Sequence, residues 1–334
     1  MSIQIKIVSS KEDNTTLEPN HLHLNIKGQD INYIIINTLR RIILEDIPSF
    51  AYDLSKIKIQ NNTSVNNNDY IRNRIENFPV CIKNEFDLNE YNDIKTRNKE
   101  KNIRYDDDTE TDVEKNIDND ENSKNINSLN FYLKVENKID DIKNVTTDDC
   151  EFYSNGKKIT SIYKNPLLII KLKKGEEIEL SAGVNKNIPL KHIKYSAVGV
   201  CCFEHINENE FLFKFDNRNQ YKNKEILIIA CEILIFRLNN FINKIISTKF
   251  NSDSHGKIVL NNETHTLGNL INRGLQENSN IKFSGYKIDH LLIDDLTIEY
   301  ITDNNKKINI ILEATVKKQI KLFEDLKKTF QSIK

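Results

Sequence analysis

Three groupings in this chain hold residue types that do chemistry. Cys201-Cys202-Phe203-Glu204-His205 sets two thiols near an imidazole, as a nucleophilic or metal site would. The run reads as a strand, however. Alternation along a strand sends neighbouring side chains to opposite faces, with cysteine packed as a small hydrophobe. His21 and His23 are two apart on a strand, so they share a face and could ligate zinc. No third ligand stands nearby, and a solvated strand face is the expectation. Asp106-Asp107-Asp108 is the densest carboxylate set, but it lies in the most polar stretch of the chain. A solvated acidic loop is expected there, because no fixed ligand geometry is implied. There is no glycine-rich phosphate loop, no Gly-x-Ser-x-Gly and no paired-carboxylate motif on an apolar scaffold. No catalytic residue, no metal site and no cofactor is expected.

Composition narrows the classes further. At 334 residues the chain is long enough for two domains with a real core. Its formal net charge is −1, so no global basic field points to nucleic acid, and no sequence-specific DNA contact is expected. The cysteines are Cys81, Cys150, Cys201, Cys202 and Cys231. Their odd number, irregular spacing and the lack of a signal peptide argue for a reducing compartment. The longest apolar stretch, Ile226 to Ile246, is interrupted by Glu232, Arg237, Asn239 and Asn240. It reads as a buried amphipathic helix, not a membrane span.

These groups need elements to hold them. Ile3 to Val8 and Leu22 to Ile26 alternate as half-buried strands do. Asp30 stands where an N-cap belongs, and Ile31, Ile34, Ile35, Leu39, Ile42 and Ile43 follow at helical spacing until Pro48. Leu54 to Ile59 reads as a strand, and Asp69 as the cap of a short helix closed by Pro79. From Asp87 to Ser128, Asp, Asn, Lys and Glu dominate, which predicts a disordered or loosely folded insertion. Phe131 to Val135, Pro166 to Leu172, Glu176 to Leu180, Tyr195 to Phe203 and Phe211 to Phe215 are strand candidates, with a turn at Lys173-Lys174-Gly175. A long helix is predicted over Asn223 to Ser247, and a polar linker over 251–256. A second unit then reads strand (Lys257 to Leu260), helix (Thr266 to Glu277), two strands (Ile281 to Ser284, Leu296 to Ile301) and a final helix. In that helix Val316, Ile320, Phe323, Leu326, Phe330 and Ile333 are spaced by three and four. The two units echo each other: each opens with a strand and a helix containing Thr-Leu, and each ends in a long helix.

Several runs carry a family resemblance. Glu263-Thr264-His265-Thr266-Leu267-Gly268-Asn269-Leu270, followed by Phe283 to His290, resembles the signature of the eleventh subunit of eukaryotic RNA polymerase II. Asn37-Thr38-Leu39-Arg40-Arg41-Ile42-Ile43-Leu44-Glu45-Asp46-Ile47-Pro48 resembles that of the third subunit. Arg74 to Val80, Lys171 to Leu180 and Lys191-His192-Ile193-Lys194-Tyr195-Ser196 resemble further third-subunit blocks, in the family's order. The resemblance extends to the bacterial α-subunit N-terminal domain. It departs in one respect: only Cys81 and Cys150 flank the insertion, with no Cys-x-x-Cys for zinc.

The resemblance implies an α+β fold with two dimerisation units, each a sheet with helices on one side, paired within one chain. The first unit would take 1–80 and 151–250, with an inserted subdomain at 81–150 and a polar stretch at 87–128. The second would take 257–334. It implies a non-catalytic assembly platform of a multisubunit DNA-directed RNA polymerase; a free transcription adaptor on the same fold is the alternative. Expected partners are the largest and second-largest polymerase subunits and small polymerase subunits, with no membrane and no homo-oligomer. Arg40, Arg41, Lys191 and His192 are the implied partner-binding residues. Leu39, Ile229, Ile233, Phe236, Leu267, Val316, Ile320, Phe323 and Phe330 are the expected pairing interface. Fusion of these subunits and the Asn/Ile/Lys bias suit a large cytoplasmic DNA virus, hence virion and host cytoplasm; a cellular eukaryotic source would mean the nucleus.

Overall fold

The computed structural model describes residues 3–12, 20–102, 129–247, 254–261, 263–290, 293–303 and 307–333. The chain opens with β1 (Gln4–Lys11), β2 (Asn20–Lys27) and α1 (Tyr33–Glu45). A long middle section follows: β3 (Ser49–Tyr52), β4 (Lys58–Asn62), α2 (Asn68–Glu76), α3 (Leu88–Asn102), β5 (Leu129–Glu136), β6 (Lys143–Thr146), β7 (Glu151–Ser154), β8 (Lys157–Ile159), β9 (Leu168–Leu172) and β10 (Glu177–Asn187). Then come β11 (Val198–Asn207), β12 (Glu210–Asn217) and α4 (Asn223–Ser247). The last section is β13 (His255–Asn261), α5 (His265–Gln276), β14 (Ile281–His290), β15 (Ile293–Thr302) and α6 (Ile308–Ser332). The fold is α+β.

Two sheets repeat one plan. The first has the order β1-β2-β12-β11, and the last has β13-β15-β14. Setting aside the edge strand β1, each runs strand, helix, antiparallel hairpin, helix, with the hairpin's second strand in the middle of the sheet. The alternation of Leu22, Leu24 and Ile26 on β2 and Phe211, Phe213 and Phe215 on β12 buries one face of the first sheet. Helix α1 packs on β11 and helix α5 on β14. Gly268 makes the second approach possible, since a Cβ there would sit 2.3 Å from a methyl of Leu296 on β15. The closing helices α4 and α6 are both 25 residues long and pack against each other.

One apolar cluster joins these elements. It takes residues from β2, α1, β12, α4, α5, β15 and α6. Helix α4 is buried on most of its circumference, with Ile226, Leu227, Ile233, Leu234 and Leu238 all inaccessible, as befits a helix covered on several sides. Among the described residues no helix is long and apolar enough to cross a membrane.

A second, separate cluster lies in the middle section. It is built on the order β3-β10-β5-β7-β8, with β4 also on β10, and draws residues from Phe50 to Val184. The span 81–150 is therefore too narrow for this core, because β3, β4, α2, β9 and β10 all contribute to it. The turn at Gly175 takes φ +78°, a conformation glycine adopts without strain.

Several local expectations shift. Asn32, not Asp30, caps α1: its Oδ1 accepts the N–H groups of Ile34 (3.0 Å) and Ile35 (3.1 Å). Asp53 accepts from the Ser55 N–H and turns 54–56 into a 3-10 helix, so strand β4 begins only at Lys58. Asn67 caps α2 in place of Asp69. Residues 193–195 form a 3-10 turn closed on the His192 side chain, which delays β11 to Val198. Strand β13 begins at His255, inside the expected linker; 251–253 lie outside the described residues. The largest difference is α3. Residues 88–102 of the expected disordered stretch are helical, with Tyr91 and Ile94 buried in the first cluster. Residues 103–128, with Asp106 to Asp108, lie outside the described residues.

Candidate functional site

Helices α4 and α6 run antiparallel. Lys224 near the start of α4 donates to the Ile333 carbonyl beyond the end of α6, and Lys327 Nζ meets Glu232 at 2.8 Å. All nine residues expected at the pairing interface fall in the first apolar cluster. Leu39, Ile229, Ile233, Leu267, Val316, Phe323 and Phe330 are buried in it; Phe236 and Ile320 pack against it half-buried. The Phe236 ring also meets the Tyr91 ring of α3, edge-on at 6.4 Å between centroids.

A charged cluster interrupts this apolar packing. Arg237 on α4 is only 5% exposed. Its Nη1 lies 2.9 Å from Asp46, and its Nη2 pairs with Glu263. The Tyr91 hydroxyl of α3 donates to Asp46 at 3.0 Å, and Lys95 of α3 stands 4.0 Å from the same carboxylate. Burial pushes the Arg237 guanidinium down, but Asp46 and Glu263 outweigh it and raise it, so the group stays charged. Burial, then the Asp46 charge, raises the Tyr91 hydroxyl well above its ordinary value, leaving it a donor. Asp46 lies near the end of the run Asn37 to Pro48 and Glu263 opens the run Glu263 to Leu270, so Arg237 joins the two. The sequence offered one signal for this: Arg237 is the one cation between Ile226 and Ile242, a run otherwise broken only by Glu232, Asn239 and Asn240.

Two of the four expected partner-binding residues lie on α1 and two in the segment after β10. Arg40 Nε donates to Asn37 Oδ1 at 3.0 Å, and Arg41 pairs with Glu45 at 3.0 Å. Neither arginine lies in the last turn of α1, so they do not serve its dipole. The Leu190 N–H donates to the Glu45 carbonyl at 3.1 Å, which brings Lys191 and His192 beside the end of α1. Lys191 and His192 are exposed, flanked by Leu190 (58% exposed) and Ile193 (66%). Close by, Lys194 Nζ meets Glu76 at 2.6 Å with both side chains nearly buried. That pair ties the run Arg74 to Val80 to the run Lys191 to Ser196. Lys191 and His192, with Leu190 and Ile193 beside them, form an exposed basic and apolar stretch that can receive a protein surface.

The cysteine and histidine groupings lie on strands β11 and β2. Cys201 is buried and Cys202 exposed, on opposite faces. Burial pushes the Cys201 thiol up to about 12, against the pull of nearby Arg40, so no thiolate forms near neutral pH. The His21 and His23 rings lie 4.9 Å apart on one face, and Ser9 Oγ is 2.9 Å from His21 Nε2. Among the described residues no three His, Cys, Asp or Glu side chains gather to hold a metal ion.

With this geometry in hand, similarity to known proteins is informative. Residues 255–329 match the RNA polymerase Rpb3/Rpb11 dimerisation domain. A protein of Acanthamoeba polyphaga mimivirus, provisionally named a DNA-directed RNA polymerase subunit, is 26% identical over 97% of this chain and 92% of its own length. Subunit 3B of the Arabidopsis thaliana RNA polymerases IV and V is 25% identical over 54% of this chain and 52% of its own. A conjugation stage-specific protein of Tetrahymena thermophila is 25% identical over 69% of this chain and 70% of its own. Its C-terminal section thus carries the Rpb3/Rpb11 dimerisation domain, and its likeness to proteins named as polymerase subunits, along almost its whole length in the mimivirus case, supports an Rpb3/Rpb11-like family of RNA polymerase subunits.

Proposed function

We propose that this polymerase subunit is a non-catalytic assembly platform in which two related units pair within one chain. The first unit combines residues 20–47 and 188–247; the second is 254–333; the middle section is an arm inserted into the first. The repeated plan of sheet and helices carries this reading: two units of one topology share a single apolar cluster. Each unit leaves a helix face that only the other covers. Tethering replaces a diffusional encounter with a high effective concentration, so the pair forms without searching for a partner chain.

The platform's task is to hold the two large catalytic subunits together. Arg40, Arg41, Lys191 and His192, with Leu190 and Ile193 beside them, are the proposed docking face. Such a mixed basic and apolar patch favours a partner surface with acidic and apolar groups. Small polymerase subunits would dock at its edges. By analogy with the mimivirus relative, the particle would be viral and work in the host cytoplasm. The deciding experiment is gentle purification of the tagged chain from its native source, with companions identified by mass spectrometry. Two very large polymerase subunits at equal stoichiometry, with no separate second dimerisation chain, is the expected result. Recovery alone, or with regulators only, overturns the platform reading.

A further inference from the structure

We infer that the Arg237 cluster sets pairing specificity: it makes the first unit accept the second and reject a second copy of itself. This rests on the two-unit reading above. The inference comes from comparing the two sides of the repeat. Helices α4 and α6 have the same length, and Arg237 is the fifteenth residue of α4. The fifteenth residue of α6 is Leu322, which is buried. Glu263 lies two residues ahead of α5; the residue two ahead of α1 is Ile31, also buried. Leu322 and Ile31 border the same cavity, of about 700 Å³, between α1, α5 and α6. One side of the repeat thus has Arg237 and Glu263 where the other has Leu322 and Ile31.

The consequence follows from desolvation. If two first units paired, each Arg237 would meet an isoleucine in place of Glu263. It would keep Asp46 but lose its second carboxylate in a dry interface. If two second units paired, each Glu263 would meet Leu322 with no cation. With Lys95 counted, the in-chain cluster holds two cations and two carboxylates; a pair of first units would leave Arg237 and Lys95 with Asp46 alone, and a pair of second units would leave Glu263 with no cation. Tyr91 and Lys95 reinforce the correct arrangement by holding Asp46 in place. An apolar pair would pack as well but would not discriminate, which is the recognised use of buried polar groups at paired interfaces.

The test uses the full chain, cut once within 248–253 at an introduced protease site, unfolded in urea and diluted back. Native mass spectrometry then counts mixed pairs against self-pairs. The fragments without further substitution should return almost wholly as mixed pairs. The triple variant Arg237→Leu, Glu263→Ile, Asp46→Asn copies the apolar side of the repeat. It should fold, by circular dichroism, yet lower the ratio of mixed to self-pairs about tenfold or more. Arg237→Lys keeps the charge and should keep the preference. Leu322→Ala, a packing change without charge, should weaken all pairs but leave the ratio unaltered. If the triple variant fails to fold, the lysine variant decides against a charge-free control, Arg237→Met: equal ratios for the two overturn the inference. An unchanged ratio in the triple variant overturns it too. If the cut native chain does not re-pair at all, it is the two-unit reading that falls.

Discussion

The two apolar cores of this chain are built differently. The first is shared: its residues come from segments at both ends of the chain. It is mostly aliphatic, with aromatic rings from α3, β12, α4, β15 and α6, and the Arg237 ion cluster sits among its helices. The second lies within the stretch from Phe50 to Val184 and is held by an aromatic group, with Phe131, Phe152, Tyr163 and Tyr52 in edge-on or tilted contact. A self-contained core can fail by itself; a shared one takes both ends of the chain with it. On the proposed two-unit reading, stability in the first core is a property of assembly, and stability in the second is a property of a local arm.

Substitutions can break that contrast or sharpen it. The largest effect belongs to Phe323→Asp with Ile320→Asp, which buries charge in the shared core. No soluble folded chain is expected, by yield and circular dichroism, and a normally folded variant would show that α6 does not close the core. Arg237→Ala should come next, at about 3–5 kcal/mol, because it leaves two buried carboxylates without their cation. Urea unfolding should show the shared core lost in one step. Phe152→Ala should cost about 3–5 kcal/mol as well, but in the arm alone. Hydrogen exchange should then rise across β5 and β7 while α4 and α6 stay protected; equal loss in both would mean one cooperative core. Asn32→Ala removes the cap of α1 and should cost about 1 kcal/mol, seen as a modest drop in the urea midpoint.

The smallest effect is a pH dependence. Partial burial, then the charges of His21 and Lys214, holds the His23 imidazole below its ordinary value of 6.5. The folded state thus binds protons less readily than the unfolded one. Stability from this residue is intact above pH 6.5 and declines as pH falls through 6.5 toward the lower folded value. His23→Gln should flatten thermal-melt midpoints between pH 7.5 and about 5. An identical slope in wild type and variant would locate the dependence elsewhere.

Much of the shared core was legible because its signal is periodicity. The run Asn223 to Ser247 is apolar over most of a 25-residue helix, and its bounds in the fold are those the spacing suggests. The α6 stripe of Val316, Phe323, Leu326 and Phe330 is buried as its three-and-four spacing demands. Helix α3 was not legible. In its fifteen residues only Leu88, Tyr91 and Ile94 are apolar, and the rest match a solvated coil. Its order comes from partners distant in sequence: Tyr91 on Asp46, Lys186 on Glu90 at 2.7 Å, and Asn98 on Asn187 at 2.8 Å. The Arg237 cluster was hidden for the same reason, since its members lie on separate elements. Both corrected caps stand two residues from the expected ones, because Asp and Asn compete for the role within a few positions of each other.

Strand β3 pairs with the far end of β10, with Ser49 opposite Asn187. The arm therefore leaves and re-enters the first unit at neighbouring positions on paired strands. Once the arm has formed, the chain of the first unit is kinetically almost continuous: the closure that brings β2 to β12 spans a short effective loop, not the full contour between them. An arm attached in this way can gain or lose surface loops over evolutionary time without changing how fast, or in what order, the pairing core assembles.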